Sequence, residues 1–220
     1  MAREATVSAR LAQEYLPSEL VTDLLRDHGD LGGVDLGYHV TTAAQRPERS
    51  PHLQGLRCIQ CDESHPAADY PQGCPSCAAQ GRNSNLHCTY AETTPARQRY
   101  PYPVGSGLGQ GRTPLWPVPW LKNVSVKDEA ANPTGSHKDR FSALVSAHAR
   151  AAGYRGVVVG SSGNAGVSVA AYAAAAGLRC TVAAFDWLPD RVRSYLTGFG
   201  ADVRTFATDR ERIALVEELA

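Results

Sequence analysis

Two cysteine pairs constrain this chain more than any other feature: Cys58-x2-Cys61 and Cys74-x2-Cys77, with twelve residues between them. Residues 53–95 hold five of the six cysteines and show little hydrophobic periodicity, so a cross-link rather than an apolar core must organise them. Two tight turns that each offer two thiolates make a tetrahedral cage, for which zinc is the first reading. Iron held by the same four thiolates, or two disulfides, are the alternatives. Gly73 and Pro75 suit a backbone that must bend around sulfur. Four cysteine ligands leave no open coordination position, so the metal is structural and takes no part in catalysis. His65, His87 and Cys88 are near enough to substitute as ligands, but beside four cysteines they read as exposed or packing residues. Cys180, in a predicted strand, reads as a small buried hydrophobe.

Three zones follow from the pattern. Residues 1–52 are polar and end in a linker, Gln45-Arg46-Pro47-Glu48-Arg49-Ser50-Pro51; a short amphipathic helix is expected over 18–26, with Leu20, Leu24 and Leu25 on one face. No chemistry is assigned there. Residues 53–95 are the four-cysteine ribbon. From 96 to 220 strands alternate with helices: a strand over 124–127, a helix over 137–152 with Phe141, Leu144, Val145 and His148 on its apolar face, then strand 156–160, helix 164–176 and strand 180–185. A helix capped by Asp190, a strand over 202–207 and a last helix capped by Asp209, with Ile213, Val216 and Leu219 on one side, complete the series. Such alternation predicts an α/β fold, an open and mostly parallel sheet with helices on both faces. The last helix has no Gly, Asn or Pro stop signal, so the end at Ala220 reads as arbitrary.

Charge narrows the partners. Lys plus Arg number 22 and Asp plus Glu 22, a net charge of zero, which excludes nucleic-acid binding by bulk charge. No apolar stretch is long enough to span a bilayer, and the N-terminus has no apolar run behind a basic start. The default compartment is the reducing cytoplasm.

The sharpest chemistry lies in Asn132-Pro133-Thr134-Gly135-Ser136-His137-Lys138-Asp139-Arg140. A turn leads into a helix whose first turn carries Lys138, where the positive helix end and Arg140 disfavour an extra charge and favour a neutral, nucleophilic amine. Ser161-Ser162-Gly163-Asn164-Ala165-Gly166 follows the Val157-Val158-Val159 strand and opens the Ala-rich helix, offering N–H groups and hydroxyls to an anion or simply capping the helix. Both turns are expected at the carboxyl ends of parallel strands, where open α/β sheets place ligands. Gly105-Ser106-Gly107-Leu108-Gly109-Gln110-Gly111 precedes no helix and reads as a flexible entry rather than a phosphate cradle. The Lys127-Asp128-Glu129 charges read as a solvated strand end.

Together these strings, with Gly109-Gln110-Gly111-Arg112-Thr113-Pro114-Leu115 and the cysteine ribbon, resemble the fold type II enzymes that use pyridoxal phosphate, and threonine synthases and their near relatives in particular. The resemblance covers about 53–220. It implies that Lys138 forms the Schiff base with pyridoxal 5'-phosphate, that Asn164 hydrogen-bonds the pyridoxal 3-oxygen, and that Ser161, Ser162 and Gly163 receive the carboxylate of a small amino-acid substrate. It implies a lyase or synthase of amino-acid biosynthesis, O-phosphohomoserine giving threonine and phosphate, and a homodimer when complete.

His137 stands where threonine synthases usually carry Phe and is similar to the His of the tryptophan synthase β subunit, where it lies near the cofactor phosphate. Dehydratase-like or tryptophan synthase β-like chemistry is therefore an alternative. The glycine-rich loop that holds the cofactor phosphate in the family is not found in 202–220, so the chain reads as the N-terminal part of such an enzyme. As it stands, it could equally be a catalytically inactive, zinc-stabilised module.

Overall fold

A computed structural model describes residues 47–103 and 107–220. The helix expected over 18–26 and the start of the glycine-rich segment, 104–106, lie outside the described residues.

The cysteine segment folds as an antiparallel sheet of three strands, β1 (Leu53–Cys58), β2 (Ser64–His65) and β3 (Leu86–Tyr90), in the order β2-β1-β3. One helical turn, α1 (Pro75–Ala78), carries the second cysteine pair, with Pro75 at its first position, where a missing N–H costs nothing. The buried centre of this ribbon is Cys58, Cys74 and Cys77 with Leu86 against them. Too few apolar side chains are present to hold three short strands, so the cysteines themselves are the core.

A second sheet pairs β4 (Leu115–Pro117) with β5 (Ser125–Lys127), antiparallel, and all six of its residues are exposed. The expected strand at 124–127 therefore exists but is no part of the parallel sheet. Its three residues pair back onto β4 through a short connection that includes Asn123 at positive φ, so no crossover helix intervenes.

The parallel sheet has the order β6-β7-β8, formed by β6 (Gly156–Gly160), β7 (Arg179–Phe185) and β8 (Asp202–Phe206). The helices are α2 (Lys138–Ala152), α3 (Asn164–Ala175), α4 (Asp190–Gly198) and α5 (Asp209–Leu219). Alternation along β7 separates the faces. Cys180, Val182 and Ala184 enter the main core with Val169, Ala170 and Ala173 of α3 and Leu196 of α4. Phe185 turns to the opposite face, where the guanidinium carbon of Arg212, on α5, sits 4.3 Å from the centre of its ring. Helices on both faces are thus present, as the alternation required.

The helix faces differ from their periodicity. In α2 the buried residues are Asp139, Ser142, Ala143, Ser146, Ala147 and Ala149, while Phe141 and Leu144 are exposed to solvent. The reason is the partner: α3 is rich in small residues, and α2 meets it through Ala and Ser, with Ala143 against Ala171 and the one large buried side chain Tyr172, rather than through Phe141 and Leu144. In α5, Ile213 and Leu219 are exposed. Its cap is Thr208, in a reciprocal capping box with Glu211, and Asp209 is the first helical residue. Likewise Pro189 occupies the cap position of α4 and Asp190 its first turn.

Candidate functional site

Lys138 opens α2 and is half-buried; its N–H donates to the Ser136 hydroxyl at 3.3 Å. His137 stands at the cap position, exposed and with no capping hydrogen bond from its side chain. The turn before the lysine is held by Asp139. This carboxylate is fully buried; it accepts from the Thr134 N–H at 2.7 Å, from the Thr134 hydroxyl, and from the Ser168 hydroxyl of α3 at 2.6 Å. The Ser142 and Ser168 hydroxyl oxygens are 2.7 Å apart, and because the single Ser168 proton goes to Asp139, Ser142 is the donor there. The lysine turn and α3 are thereby fastened side to side.

At the entry of α3, the Ser161 hydroxyl accepts from the N–H groups of Gly163 (3.3 Å) and Gly166 (3.0 Å), so capping is realised. The Ser162 hydroxyl accepts from the Phe185 N–H at 2.8 Å, tying the turn to the end of β7. A hydroxyl that accepts still has its own proton to donate. Asn164, the first helical residue, is exposed. Among the described residues no protein acceptor takes the N–H of Asn164 or Ala165, which leaves two donors at the positive end of the helix.

Arg140, two positions after the lysine, has a partner of its own. Its guanidinium forks onto Glu129, with both contacts at 2.8 Å, and Thr113 and Asn132 donate to the same carboxylate at 2.9 Å each. The Arg140 hydrogen bonds, reinforced by those of Asn132 and Thr113, hold the Glu129 carboxyl down from 4.5 to about 2. Asn132 in turn accepts from the Gly111 N–H at 2.9 Å. Glu129 is therefore no solvated strand end, and Gly111 no free entry. The turn at 111–113, the β5 end and α2 form one polar network directly behind the lysine turn. Lys127, read as part of the same solvated end, donates its ammonium to the Thr113 carbonyl.

In the ribbon the sulfurs of Cys58, Cys61, Cys74 and Cys77 lie within 4.8 Å of one another, with Cys58 to Cys77 at 3.8 Å and Cys61 to Cys74 at 3.7 Å. A tetrahedral zinc with bonds of about 2.3 Å places its sulfurs about 3.8 Å apart, so the donor set fits that ion. All four are free thiols. Burial raises the Cys58 thiol, but the N–H groups of Cys61 and Gln60 and the Ser84 hydroxyl outweigh it and hold the group well down. His65 is more than packing: its Nε2 is 3.4 Å from the Cys74 sulfur.

The ribbon also grips α2. Asp69, in the loop between the cysteine pairs, meets Nε2 of His148 at 2.9 Å and accepts from the Tyr154 hydroxyl, while Tyr102 contacts Nδ1 of the same His148 at 2.7 Å. Hydrogen bonding from Tyr154, then from His148, holds the Asp69 carboxyl below its ordinary range. Beside this clamp, Phe141, Leu144 and Val145 of α2 face Leu53, Leu56 and Leu86 across an open cleft of about 540 Å³. The exposed apolar face of α2 is thus the wall of a groove.

Residues 107–220, more than half the chain, match the family model described as pyridoxal-phosphate dependent enzyme. The chain belongs to that family. It is similar to threonine synthase of Halalkalibacterium halodurans, 42% identical over 98 residues that make up 42% of this chain and 27% of the relative. It is similar also to threonine synthase of Synechocystis sp., 37% identical over 124 residues, 53% of this chain and 30% of the relative. The 2-amino-4-ketopentanoate thiolase beta subunit of Acetoanaerobium sticklandii is 49% identical over 59 residues, 27% of this chain and 13% of that subunit. Among solved structures, O-ureido-L-serine synthase aligns at 30% identity with a TM-score of 0.43, covering 50% of this chain and 38% of its own. The chain spans less than a third of the length of these curated relatives.

The residues of this pyridoxal-phosphate family member fit the cofactor by their chemistry: a lysine amine, two hydroxyls with protons to donate, a carboxamide and free helix-end N–H groups. There is room as well, since a Cβ placed on Gly163 or Gly135 would meet nothing within 4 Å. The residues that sequence reasoning passed over are those that hold this arrangement, namely Asp139, Ser168, Glu129, Asp69 and His148. Asp139 lies within the lysine string and Glu129 three positions before it, and both could have been singled out as acids without a solvent role. Asp69 and His148 are 79 positions apart, and nothing local links them.

Proposed function

We propose that this chain supplies the lysine-bearing wall of a pyridoxal phosphate site in a threonine synthase-like enzyme, which converts O-phosphohomoserine to threonine and phosphate. The observation that carries the reading is Lys138 at the head of α2, fastened through Asp139 to the helix whose entry presents Ser161, Ser162 and Asn164. When bound, the cofactor supplies an electron sink for the pair left on the substrate Cα. Lys138 is its attachment point, and the amine, once released, takes the Cα proton. Ser161 and Ser162 donate their hydroxyl protons to the substrate carboxylate, which the end of α3 also attracts. The Asn164 carboxamide would hold the 3-oxygen of the cofactor, Gly163 would join Ser161 and Ser162 in receiving the substrate carboxylate, and His137 would stand near the cofactor phosphate.

Zinc in the four-cysteine cage fixes the ribbon, and through Asp69 the ribbon supports α2. The similarity to a thiolase beta subunit favours a second reading, in which 2-amino-4-ketopentanoate is the substrate.

Borohydride reduction in the presence of pyridoxal phosphate, followed by peptide mapping, should mark Lys138, and Lys138→Ala should abolish the mark. Labelling at another lysine would overturn the assignment. Protection of Lys138 by O-phosphohomoserine supports the first reading, and protection by 2-amino-4-ketopentanoate alone supports the second.

A further inference from the structure

Asp139 is a fully buried carboxylate with no cation among its hydrogen-bond partners. A buried charge is retained only where donors compensate it, and here three do, drawn from two separate elements. The Thr134 N–H and hydroxyl fix the turn that ends at Lys138. The Ser168 hydroxyl belongs to α3, one turn beyond the entry that presents Ser161 and Asn164. Replacing the carboxylate by a carboxamide of the same shape would remove the charge that strengthens all three bonds, and its NH2 group would face either the Thr134 N–H or the two hydroxyls, which must then reverse. The cluster distinguishes its members, because Ser142 touches Ser168 at 2.7 Å but makes no hydrogen bond to the lysine turn.

We infer that Asp139 is a positioning residue that sets the Lys138 amine against the entry of α3, and so decides how fast the lysine captures a pyridoxal-type aldehyde. The inference rests on the reading of Lys138 as the attachment point. It goes beyond that reading in assigning the geometry to one carboxylate rather than to the helix pairing as a whole. Asp139→Asn loosens the turn at 134–136 while α2 and α3 stay packed through Ala143, Ala171 and Tyr172.

The first measurement needs no cofactor. Hydrogen exchange of the Thr134 amide should accelerate at least tenfold in Asp139→Asn, and stay within twofold of the parent in Ser142→Ala, which perturbs the same interface. The second is the rate at which borohydride traps pyridoxal phosphate on Lys138, which should fall at least tenfold in Asp139→Asn and stay unchanged in Ser142→Ala. Thr134→Val, which removes only the hydroxyl donor and serves should Asp139→Asn fail to fold, should shift both readouts in the same direction by a smaller factor. Equal behaviour of Asp139→Asn and Ser142→Ala in either measurement would overturn the inference while leaving Lys138 as the attachment point. Trapping on another lysine in the parent chain would instead overturn the attachment reading, and the exchange result would still report whether Asp139 holds the turn.

Discussion

Replacing Gly73 by Ala should disable the metal ribbon, whereas the same replacement at Gly81 should not. Both glycines have left-handed backbone, φ +76° and +68°, where an L side chain costs about 1–2 kcal/mol. Their surroundings differ. A Cβ on Gly81 would meet nothing within 4 Å, whereas on Gly73 it would lie 2.2 Å from the carbonyl oxygen of Ser84. That carbonyl is backbone and cannot rotate away. It accepts the Cys74 N–H at 2.9 Å, and the Ser84 hydroxyl contacts the Cys58 sulfur at 3.1 Å, so moving it disturbs both cysteine pairs. Losing that hydrogen bond and leaving a buried group unpaired costs about 2–3 kcal/mol more than the φ penalty alone. Because metal binding and ribbon folding are one equilibrium, the excess appears as zinc affinity weakened about 30- to 140-fold relative to Gly81→Ala. Competition against a chelator of known affinity measures it, with metal content of each purified variant as the companion readout. Equal zinc affinities for the two variants would show that the Ser84 carbonyl does not tie the cysteine turns together.

Two further expectations concern the polar networks. Glu129 has a folded-state pKa depressed from 4.5 to about 2, chiefly by the Arg140 hydrogen bonds, so its contribution to stability is fully present above pH 4.5 and is lost as pH falls towards 2. Glu129→Gln should flatten the pH dependence of thermal unfolding in that window, and an unchanged slope would refute the network. Asp69→Asn and His148→Ala should each loosen the ribbon from α2, with a coupling of about 0.5–1 kcal/mol in a double-mutant cycle for this partly exposed pair. Purely additive effects would mean that the clamp carries no energy.

Much of the molecule was legible from local signals. Two CxxC pairs separated by twelve residues point to a four-sulfur cage, because each pair spans one tight turn, and the four free thiols do lie together. Strands β6, β7 and β8 and helices α2 to α5 announce themselves by period and by turn residues, since those patterns are set within a few positions of chain. The lysine string and the serine turn are each contiguous, so both could be singled out without knowing the neighbours.

Tertiary structure alone decided which surfaces meet. Periodicity places Phe141 and Leu144 on a helix face but cannot say that α3, rich in Ala and with Tyr172 reaching Ala143, would select the small-residue face of α2 instead and leave the large side chains to a groove. The strand at β5 has the composition of a sheet member, yet only the return of β4 makes it an antiparallel hairpin rather than part of the parallel sheet. Asp139 to Ser168 spans 29 positions, Glu129 to Arg140 joins the end of a hairpin to a helix, and Asp69 to His148 spans 79. Such pairings arise when packing brings distant polar groups within hydrogen-bonding reach, fully buried at Asp139 and partly exposed at the other two. That condition is a property of the folded whole.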